Sequence, residues 1–480
     1  FVRGFRAIYL GFFFNCMIMA TVNLAACKIA NVMFGLDRWQ TLIVVGLLNV
    51  VFAAHSGLWG VMVIDMIQFF IKMSAVIAAA YFAVTLPEVG GLGGLVEKLS
   101  ARTGPNGLDY LAMLPSFSNN YELAVSIFVI PLAVQWWAVW YPGAEPGGGS
   151  YAAQRMLASK SERDSVAGTL FFNIAHYVLR PWPWILVGLA SLIIYPDLKD
   201  IQEAFPHVDP KLIGHDIAYP AMLKFLPVGW MGLMVGGLIA ANSSTILTHL
   251  NWGSSYLVHD FYRRFLKPDA SEHHYVNAGR VSTVLLFLGS AATVYLLDTA
   301  QESFNLLLQV GAGTGLLYLL RWFWWRVSAW SEVVAMVSSF AVSALFVALH
   351  KQGTNLGTHK ELLITVAVTT VCWVLTALFG PETDRETLIN FYRKVRPFGP
   401  GWRPIQLAAG VSDAEVAEEE KHENVPLALL GWVAGCSAIW SALFTVGNYL
   451  YGRNGYAAIL LAVFIVSSAV LTWTINKIWG

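Results

Sequence analysis

Oxygen-bearing groups share one face of an apolar segment that is long enough to cross a bilayer. The spacing i, i+3, i+4 and i+7 places four residues on one side of a helix: Ala241, Ser244, Thr245 and Thr248. Two hydroxyls one turn from a backbone carbonyl can supply three oxygen ligands, which suits a small hard cation such as sodium. The alternative is that these hydroxyls bond back to the i−4 carbonyl or join neighbouring helices.

A second candidate is an acid inside another apolar segment, residues 60–86. Asp65 lies within two turns of the end of this segment, and Gln68 and Lys72 follow at i+3 and i+7 on the same face. A carboxylate at the bilayer centre costs on the order of 2.5–3.5 kcal/mol, so it needs a partner or a role. Two interpretations remain open, a place on the path of an ion and a static ion pair with Lys72 or a neighbouring helix.

Further polar and aromatic residues suit a neutral, hydroxylated solute. Gln135 and Trp136 precede a Gly/Pro-rich run at 142–149, and such interruptions point to the binding sites of transporters. Trp faces pack against the C–H surface of a sugar, and the Gln135 amide offers hydrogen bonds. Against this, an aromatic stripe is more often packing, and a lone His in a helix is more often a core residue than a ligand.

The elements that must position these residues are membrane helices. Apolar residues make up 56% of the 480 and charged residues 12%, against about 25% charged in soluble domains; the mean hydropathy is +0.57. The sequence therefore predicts an all-α polytopic membrane protein whose partners are the lipid bilayer and a small solute. A formal net charge of zero argues against a nucleic-acid partner. The four cysteines lie in apolar segments without metal-ligand spacing.

Residues 1–480 are interpreted as a single transmembrane domain with about twelve spans of roughly 20 apolar residues. The spans are predicted at 7–33, 40–57, 60–86, 121–142, 164–195, 224–259, 277–297, 304–323, 329–350, 361–380, 426–451 and 455–478. Basic residues in alternate loops place both ends of the chain in the cytoplasm. Segment 381–425 is predicted as a cytoplasmic loop with an amphipathic helix at the membrane surface, and 426–478 as two accessory helices.

Four motifs in order resemble the sodium:solute symporter family. They are Gly57–Gln68, Ser150–Lys160, Gly232–Asn251 and Asn305–Gly315. The first departs from the family pattern, since Ile64 stands where the family often has Thr. The resemblance implies a leucine-transporter-like fold, in which two five-helix repeats of inverted topology surround a midplane site. Counting back from the third motif makes 7–33 the third core helix, so we expect the first two core helices to precede Phe1 in the full protein.

The resemblance also implies roles for individual residues. Sodium would be held by the Ala241 carbonyl and by the hydroxyls of Ser244 and Thr245, and Asp65 would lie on its path to the cytoplasm. Gln309 matches a Gln that contacts the sugar in the sugar-carrying branch of the family. His176 lies near the position where part of that branch has a substrate-binding Lys.

These observations predict a sodium-coupled symporter of the inner membrane that imports a sugar or polyol by alternating access. The alternatives are a symporter of an amino acid or carboxylate, which Arg180 or His176 would favour, and a transporter-like sensor domain. The sequence offers no catalytic triad, clustered acids or phosphate-binding loop, so it does not predict an enzyme. It leaves the solute, the number of sodium ions and the oligomeric state open.

Overall fold

The computed structural model describes this chain as a bundle of helices. It describes residues 1–53, 58–104, 107–118, 121–135, 137, 156–297, 300–397, 399–413, 415–416 and 425–479. Within these ranges the regular elements are α, 3₁₀ and π helices, without a β-strand. The predicted all-α class is confirmed.

The helices follow the chain in short succession. In the described ranges they are α1 (Val2–Phe34), α2 (Arg38–Ala53), α3 (Leu58–Val84), α4 (Gly91–Ser100), α5 (121–135), α6 (Glu162–Ile194), α7 (Leu198–Ala204), α8 (Ala218–Met222), α9 (Val228–Leu266), α10 (Glu272–Val294), α11 (Ala300–Leu320), α12 (Ala329–Lys351), α13 (Thr358–Phe379), α14 (Arg385–Val395), α15 (Arg403–Ala409), α16 (Val425–Leu450) and α17 (Asn454–Trp479).

Eight of the described helices are long and apolar enough to cross a membrane. They are α1, the Asp65–Val84 part of α3, α6, α9, α12, α13, α16 and α17. Three further stretches are apolar but shorter: Arg38–Val51, Tyr121–Val134 and Asn305–Leu320. Each of the twelve predicted segments overlaps a helix, and the protein is a multi-pass membrane protein. The number of crossings, twelve, stays a prediction.

Helix α9 packs against α1, α2, α3 and α10 and carries the candidate cation site. It approaches α1 closely at Gly253, where an added Cβ would collide with the Asn15 side chain and the Gly11 carbonyl oxygen. The Asn15 amide in turn donates to the carbonyl oxygen of His249 over 2.8 Å. Small residues allow such close contacts between membrane helices, so Gly253 fixes the distance between α1 and α9.

Buried polar side chains join α9 to α1, α2 and α10. Asn242 of α9 donates to the Asn23 oxygen of α1 at 3.4 Å and accepts from Asn49 of α2 at 3.4 Å. Asn23 also donates to the hydroxyl of Ser290 on α10 at 3.1 Å. All four side chains are buried, and a buried polar network defines one register of the helices that it joins.

An apolar region forms around the segments that follow α3 and α6. It contains α4, α7 and α8, whose buried side chains include Leu95, Ile201 and Ala221. The ammonium of Lys28 on α1 binds the carboxylate of Asp216, which precedes α8, over 2.7 Å. Because the Lys28 side chain is buried, this ion pair holds the segment before α8 against α1.

Segment 381–425 forms its own small cluster in the part that the structure describes. Leu388 and Tyr392 of α14 pack with Trp402 and Ile405 at α15. Thus part of the apolar face of this helix, which the sequence analysis assigned to the membrane surface, contacts the following helix of the same loop.

Candidate cation and solute sites

The predicted cation ligands lie on one face of α9, and their hydroxyl protons are directed elsewhere. The Thr245 hydroxyl donates to the Ala241 carbonyl oxygen, with 3.2 Å between the two oxygens. The Ser244 hydroxyl donates to the Asp65 carboxylate of α3 over 2.5 Å. Both back-bonding and helix joining, the alternatives weighed from the sequence, are therefore present.

The hydroxyl oxygens of Ser244 and Thr245 can still bind a cation although their protons have other acceptors. Each hydroxyl has one proton and two lone pairs, and both protons are committed to other acceptors. The hydroxyl oxygens of Ser244 and Thr245 keep lone pairs for a ligand. The Ala241 oxygen accepts the Thr245 hydroxyl proton beside its helical N–H bond, so this proton must turn away before the carbonyl can bind a cation. A group of such oxygens attracts a cation, and the Asp65 carboxylate adds negative charge beside it.

The α3 face that carries Asp65 contains two further polar side chains. The Gln68 Oε1 atom is buried and has no hydrogen-bond partner in the described part of the chain. Lys72 lies close enough to Asp65 for the two charges to interact. Asp65, Gln68 and Lys72, which have the predicted spacing i, i+3 and i+7, therefore face the protein interior. They lie opposite Ser244 and the surrounding part of α9.

A cavity of about 380 Å³ lies beside this face. It is enclosed by α3, α6, α8 and α9, and its lining includes Lys72, Trp184, Tyr219 and Ala241. Most of the other lining side chains are aliphatic. Open space therefore reaches the residue whose carbonyl is the third candidate ligand.

Gln309 and His176, which were predicted to contact the solute, lie on different helices and have different neighbours. Gln309 of α11 donates through Nε2 to the hydroxyl of Thr365 on α13 over 2.8 Å. His176 lies in the π-helical part of α6 and stacks on Phe172, with ring centroids 5.1 Å apart. The side chain of Gln135, Trp136 and the run 142–149 lie outside the described residues.

Arg180 contacts an aromatic ring inside the membrane. Its guanidinium carbon lies 4.8 Å from the centre of the Trp184 ring, one helical turn further along α6. This cation–π contact stabilises a charge in apolar surroundings. From the sequence, Arg180 was connected only with an amino acid or carboxylate solute, although the spacing i, i+4 in Arg180-Pro-Trp-Pro-Trp184 was the available signal for this contact.

Sequence reasoning also missed two residues, Asn242 and His249, that join α9 to α1 near the candidate site. Asn242 and His249 stand within the same apolar segment as Ser244, but on its buried side. His249 shares a 2.7 Å hydrogen bond with Asn15 of α1. Polar residues in an apolar run were the signal for both, since such residues seldom face lipid.

Comparison with known proteins gives a family and several relatives. The model of the sodium:solute symporter family matches residues 6–339, more than half of the chain. The sodium/glucose cotransporter of Vibrio parahaemolyticus is 24% identical over 364 residues, which cover 73% of this chain and 64% of that protein. The sodium/myo-inositol cotransporter 2 of Bos taurus is 30% identical over 284 residues, covering 54% of this chain and 39% of the relative. The alignments thus span less than two thirds of either relative's length.

A solved structure of a Na⁺-coupled sialic acid symporter, substrate-bound and outward-open, is also similar. It has a TM-score of 0.44 and 17% sequence identity, and the match covers 80% of this chain and 76% of that one. The family match includes α9, with Ala241, Ser244 and Thr245, and most of α3, with Asp65. On the extent of that match, this chain belongs to the sodium:solute symporter family.

Proposed function

We propose that the protein is a sodium-coupled symporter that imports a small neutral hydroxylated solute, a sugar or polyol, across the inner membrane by alternating access. The proposal includes the inverted-repeat arrangement that the family resemblance implies. One observation carries it: the hydroxyl protons of Ser244 and Thr245 are both donated to other acceptors. In this proposal the lone pairs of the two hydroxyl oxygens bind sodium, and the Ala241 carbonyl oxygen becomes the third ligand when the Thr245 proton turns away from it.

Asp65 is the first group that sodium meets on leaving this site. Its carboxylate already accepts from Ser244, so a proposed ligand and the proposed exit path share a hydrogen bond. An ion that moves from the hydroxyl oxygens toward the carboxylate keeps an oxygen partner throughout. This continuity lowers the cost of crossing an apolar interior.

The solute contacts in this proposal are Gln309, His176, Gln135 and Trp136. Amide and imidazole groups hydrogen-bond hydroxyls, and a Trp ring packs on the C–H face of a sugar. Two relatives carry the names of a glucose and a myo-inositol cotransporter, which supports this solute class. Arg180 keeps its positive charge in the contact with the Trp184 ring, so a carboxylate solute is the alternative within this proposal.

The driving force is sufficient for one sodium ion per solute. A membrane potential of 100 mV supplies about 2.3 kcal/mol per charge, and a tenfold sodium gradient adds about 1.4 kcal/mol. Their sum corresponds to a solute accumulation of about 500-fold. No covalent step is needed for such coupling.

The test is uptake of labelled glucose and myo-inositol by the full-length protein in proteoliposomes. An inward sodium gradient should drive uptake and an equal potassium gradient should not. Thr245→Ala should abolish sodium-driven uptake. Ser254→Ala is the matched control, because Ser254 lies on the same helix and bonds back to the Asn251 carbonyl. Uptake that is indifferent to sodium, or absent for both solutes, would refute the proposal.

A further inference from the structure

Helices α3 and α9 contact each other at two points on either side of Ala241. At one point, Asp65 accepts the hydroxyl proton of Ser244. At the other, Lys72 lies against Gly237, where an added Cβ would come within 3.6 Å of the Lys72 Cα atom and 3.8 Å of its Cγ atom. Residue numbers rise along α3 while they fall along α9, so the two helices run antiparallel here. Ala241 lies between the two contacts, on the same face of α9.

The Lys72 side chain leads from its contact with Gly237 toward the candidate cation ligands. Side chains of a helix lean toward its N-terminal end, which for Lys72 is the direction of Asp65. The charges of Lys72 and Asp65 are close enough to interact. Lys72 and Ala241 also line the same cavity, so the lysine and the residue that supplies the third candidate ligand border one space.

The surroundings of this cavity strengthen the effect of a positive charge. Most of the lining side chains are aliphatic, and charges act more strongly on each other in apolar surroundings than in water. Arg180 is a second positive charge that acts on Lys72. A sodium ion bound to Ser244 and Thr245 would therefore add a further positive charge to a region that already holds two.

An empty cation site leaves the Asp65 carboxylate in need of a compensating charge. The Ser244 hydroxyl donates a proton to this carboxylate, but a hydroxyl group is neutral. Lys72 supplies a positive charge on the same face of α3. An ammonium group has three N–H donors and no acceptor, so it binds the same kinds of oxygen atom as a sodium ion.

We propose that Lys72 is an internal competitor of sodium: its ammonium compensates Asp65 when the cation site is empty, and sodium binding has to displace this charge. The inference rests on the proposed function, in which sodium binds to Ser244 and Thr245. Such competition weakens sodium binding, and it favours release because the ammonium takes the place of the ion as the ion leaves. Lys72 therefore sets the sodium concentration at which the transporter works.

The test is calorimetric titration of the full-length protein with sodium, at constant ionic strength in choline. Lys72→Met keeps the length of the side chain and removes the charge, so the Kd for sodium should fall about tenfold, equivalent to about 1.4 kcal/mol. Lys72→Arg keeps the charge and should stay within about threefold of the wild type. A substitution that only disturbs packing would weaken binding, so a gain of affinity is specific to lost competition.

Lys477→Met is the matched control, because it removes the same charge from an exposed lysine of α17. It should leave the Kd for sodium unchanged. An equal gain of affinity in Lys477→Met would overturn the inference, because the effect would then depend on the net charge of the protein alone. If Lys72→Met does not fold, Lys72→Gln makes the same comparison.

The titrations distinguish a failure of this inference from a failure of the proposed function. Wild-type protein that binds sodium, while Lys72→Met keeps or raises the Kd, would overturn the competition alone. Sodium binding by Lys72→Met but not by the wild type would overturn sodium coupling and support the competition, because the ammonium would then hold the site permanently. Absence of sodium binding in both proteins would overturn the proposed function and this inference together.

Discussion

Ser244 of α9 donates its hydroxyl proton to the carboxylate of Asp65 on α3 over 2.5 Å, although 179 positions separate the two residues. The bond joins a proposed sodium ligand to an acid that is otherwise costly inside a membrane. It gives Asp65 a partner without removing its charge. This bond pairs Asp65 with a neighbouring helix, and a place for Asp65 on the path of sodium belongs to the proposed function.

Asp65→Asn tests the electrostatic part of this contact. The amide keeps an oxygen that can accept from Ser244, so the helices stay in place, but the negative charge is lost. The sodium concentration that half-activates uptake should rise about tenfold, equivalent to about 1.4 kcal/mol, with a smaller change in the solute KM. An unchanged sodium dependence would show that Asp65 acts only as a structural acceptor.

Ser244→Ala tests the ligand itself. It removes one proposed sodium oxygen and leaves Asp65 without this donor, so sodium affinity should fall by at least tenfold, or about 1.4 kcal/mol. Sodium titration of uptake measures the change, and Ser254→Ala on the same helix should leave it within about twofold. Equal losses of sodium affinity in Ser244→Ala and Ser254→Ala would mean that any such substitution on α9 weakens binding. Ser244 would then not be a specific sodium ligand.

Asn242→Leu tests the amide network behind the site. It deprives the buried Asn23 oxygen of its donor on α9, which should lower the free energy of unfolding by about 1–2 kcal/mol. Thermal unfolding in detergent measures the loss. Asn173→Leu is a suitable control, because the Asn173 amide bonds back to Thr169 of its own helix. Similar stability of both variants would exclude a structural role for the network.

Gly253→Ala tests the close contact between α9 and α1. The added methyl group would meet the Asn15 side chain and the Gly11 carbonyl, and such overpacking typically costs about 1–3 kcal/mol. Gly232→Ala on the same helix meets no atom within 4 Å and should be tolerated. The melting temperatures of the two variants measure the difference. A higher melting temperature for Gly253→Ala than for Gly232→Ala would contradict the structure.

Asp384 gives segment 381–425 a pH dependence. Its carboxylate caps α14 by accepting from the backbone N–H and the hydroxyl of Thr387, at 2.9 and 3.1 Å, and these bonds hold the pKa of Asp384 below its ordinary value. Because the pKa is lower in the folded state, the stabilisation is complete above the unfolded value of about 3.9 and is lost as pH falls through the folded value.

Asp384→Ala should therefore accelerate amide hydrogen exchange in α14 at pH 7. The difference from the wild type should shrink as the pH falls through the acidic range, once exchange rates are corrected for their intrinsic pH dependence. A difference that grows on acidification would contradict the capping role.

The cation face of α9 was predictable because it depends on spacing within one helix. Ala241, Ser244 and Thr245 share that face in any α-helix. The contact of Ser244 with Asp65 was not predictable, since a sequence does not fix the register between two helices. The partner of Gln309 shows the same limit, because Thr365 lies on a different helix. Arg180 and Trp184 lie on the same helix, so the i, i+4 spacing made their contact predictable.

A direct measurement of sodium binding tests most closely the claim that Ser244 and Thr245 of α9 bind sodium. Calorimetric titration of the purified full-length protein with sodium, at constant ionic strength in choline, measures the Kd without any assumption about the solute. We predict saturable sodium binding by the wild type. Ser244→Ala and Thr245→Ala should each weaken binding at least tenfold, or by about 1.4 kcal/mol. Ser254→Ala should leave binding unchanged. Saturable binding that both α9 substitutions leave unchanged, or no binding by the wild type, would contradict the assignment of sodium to this face of α9.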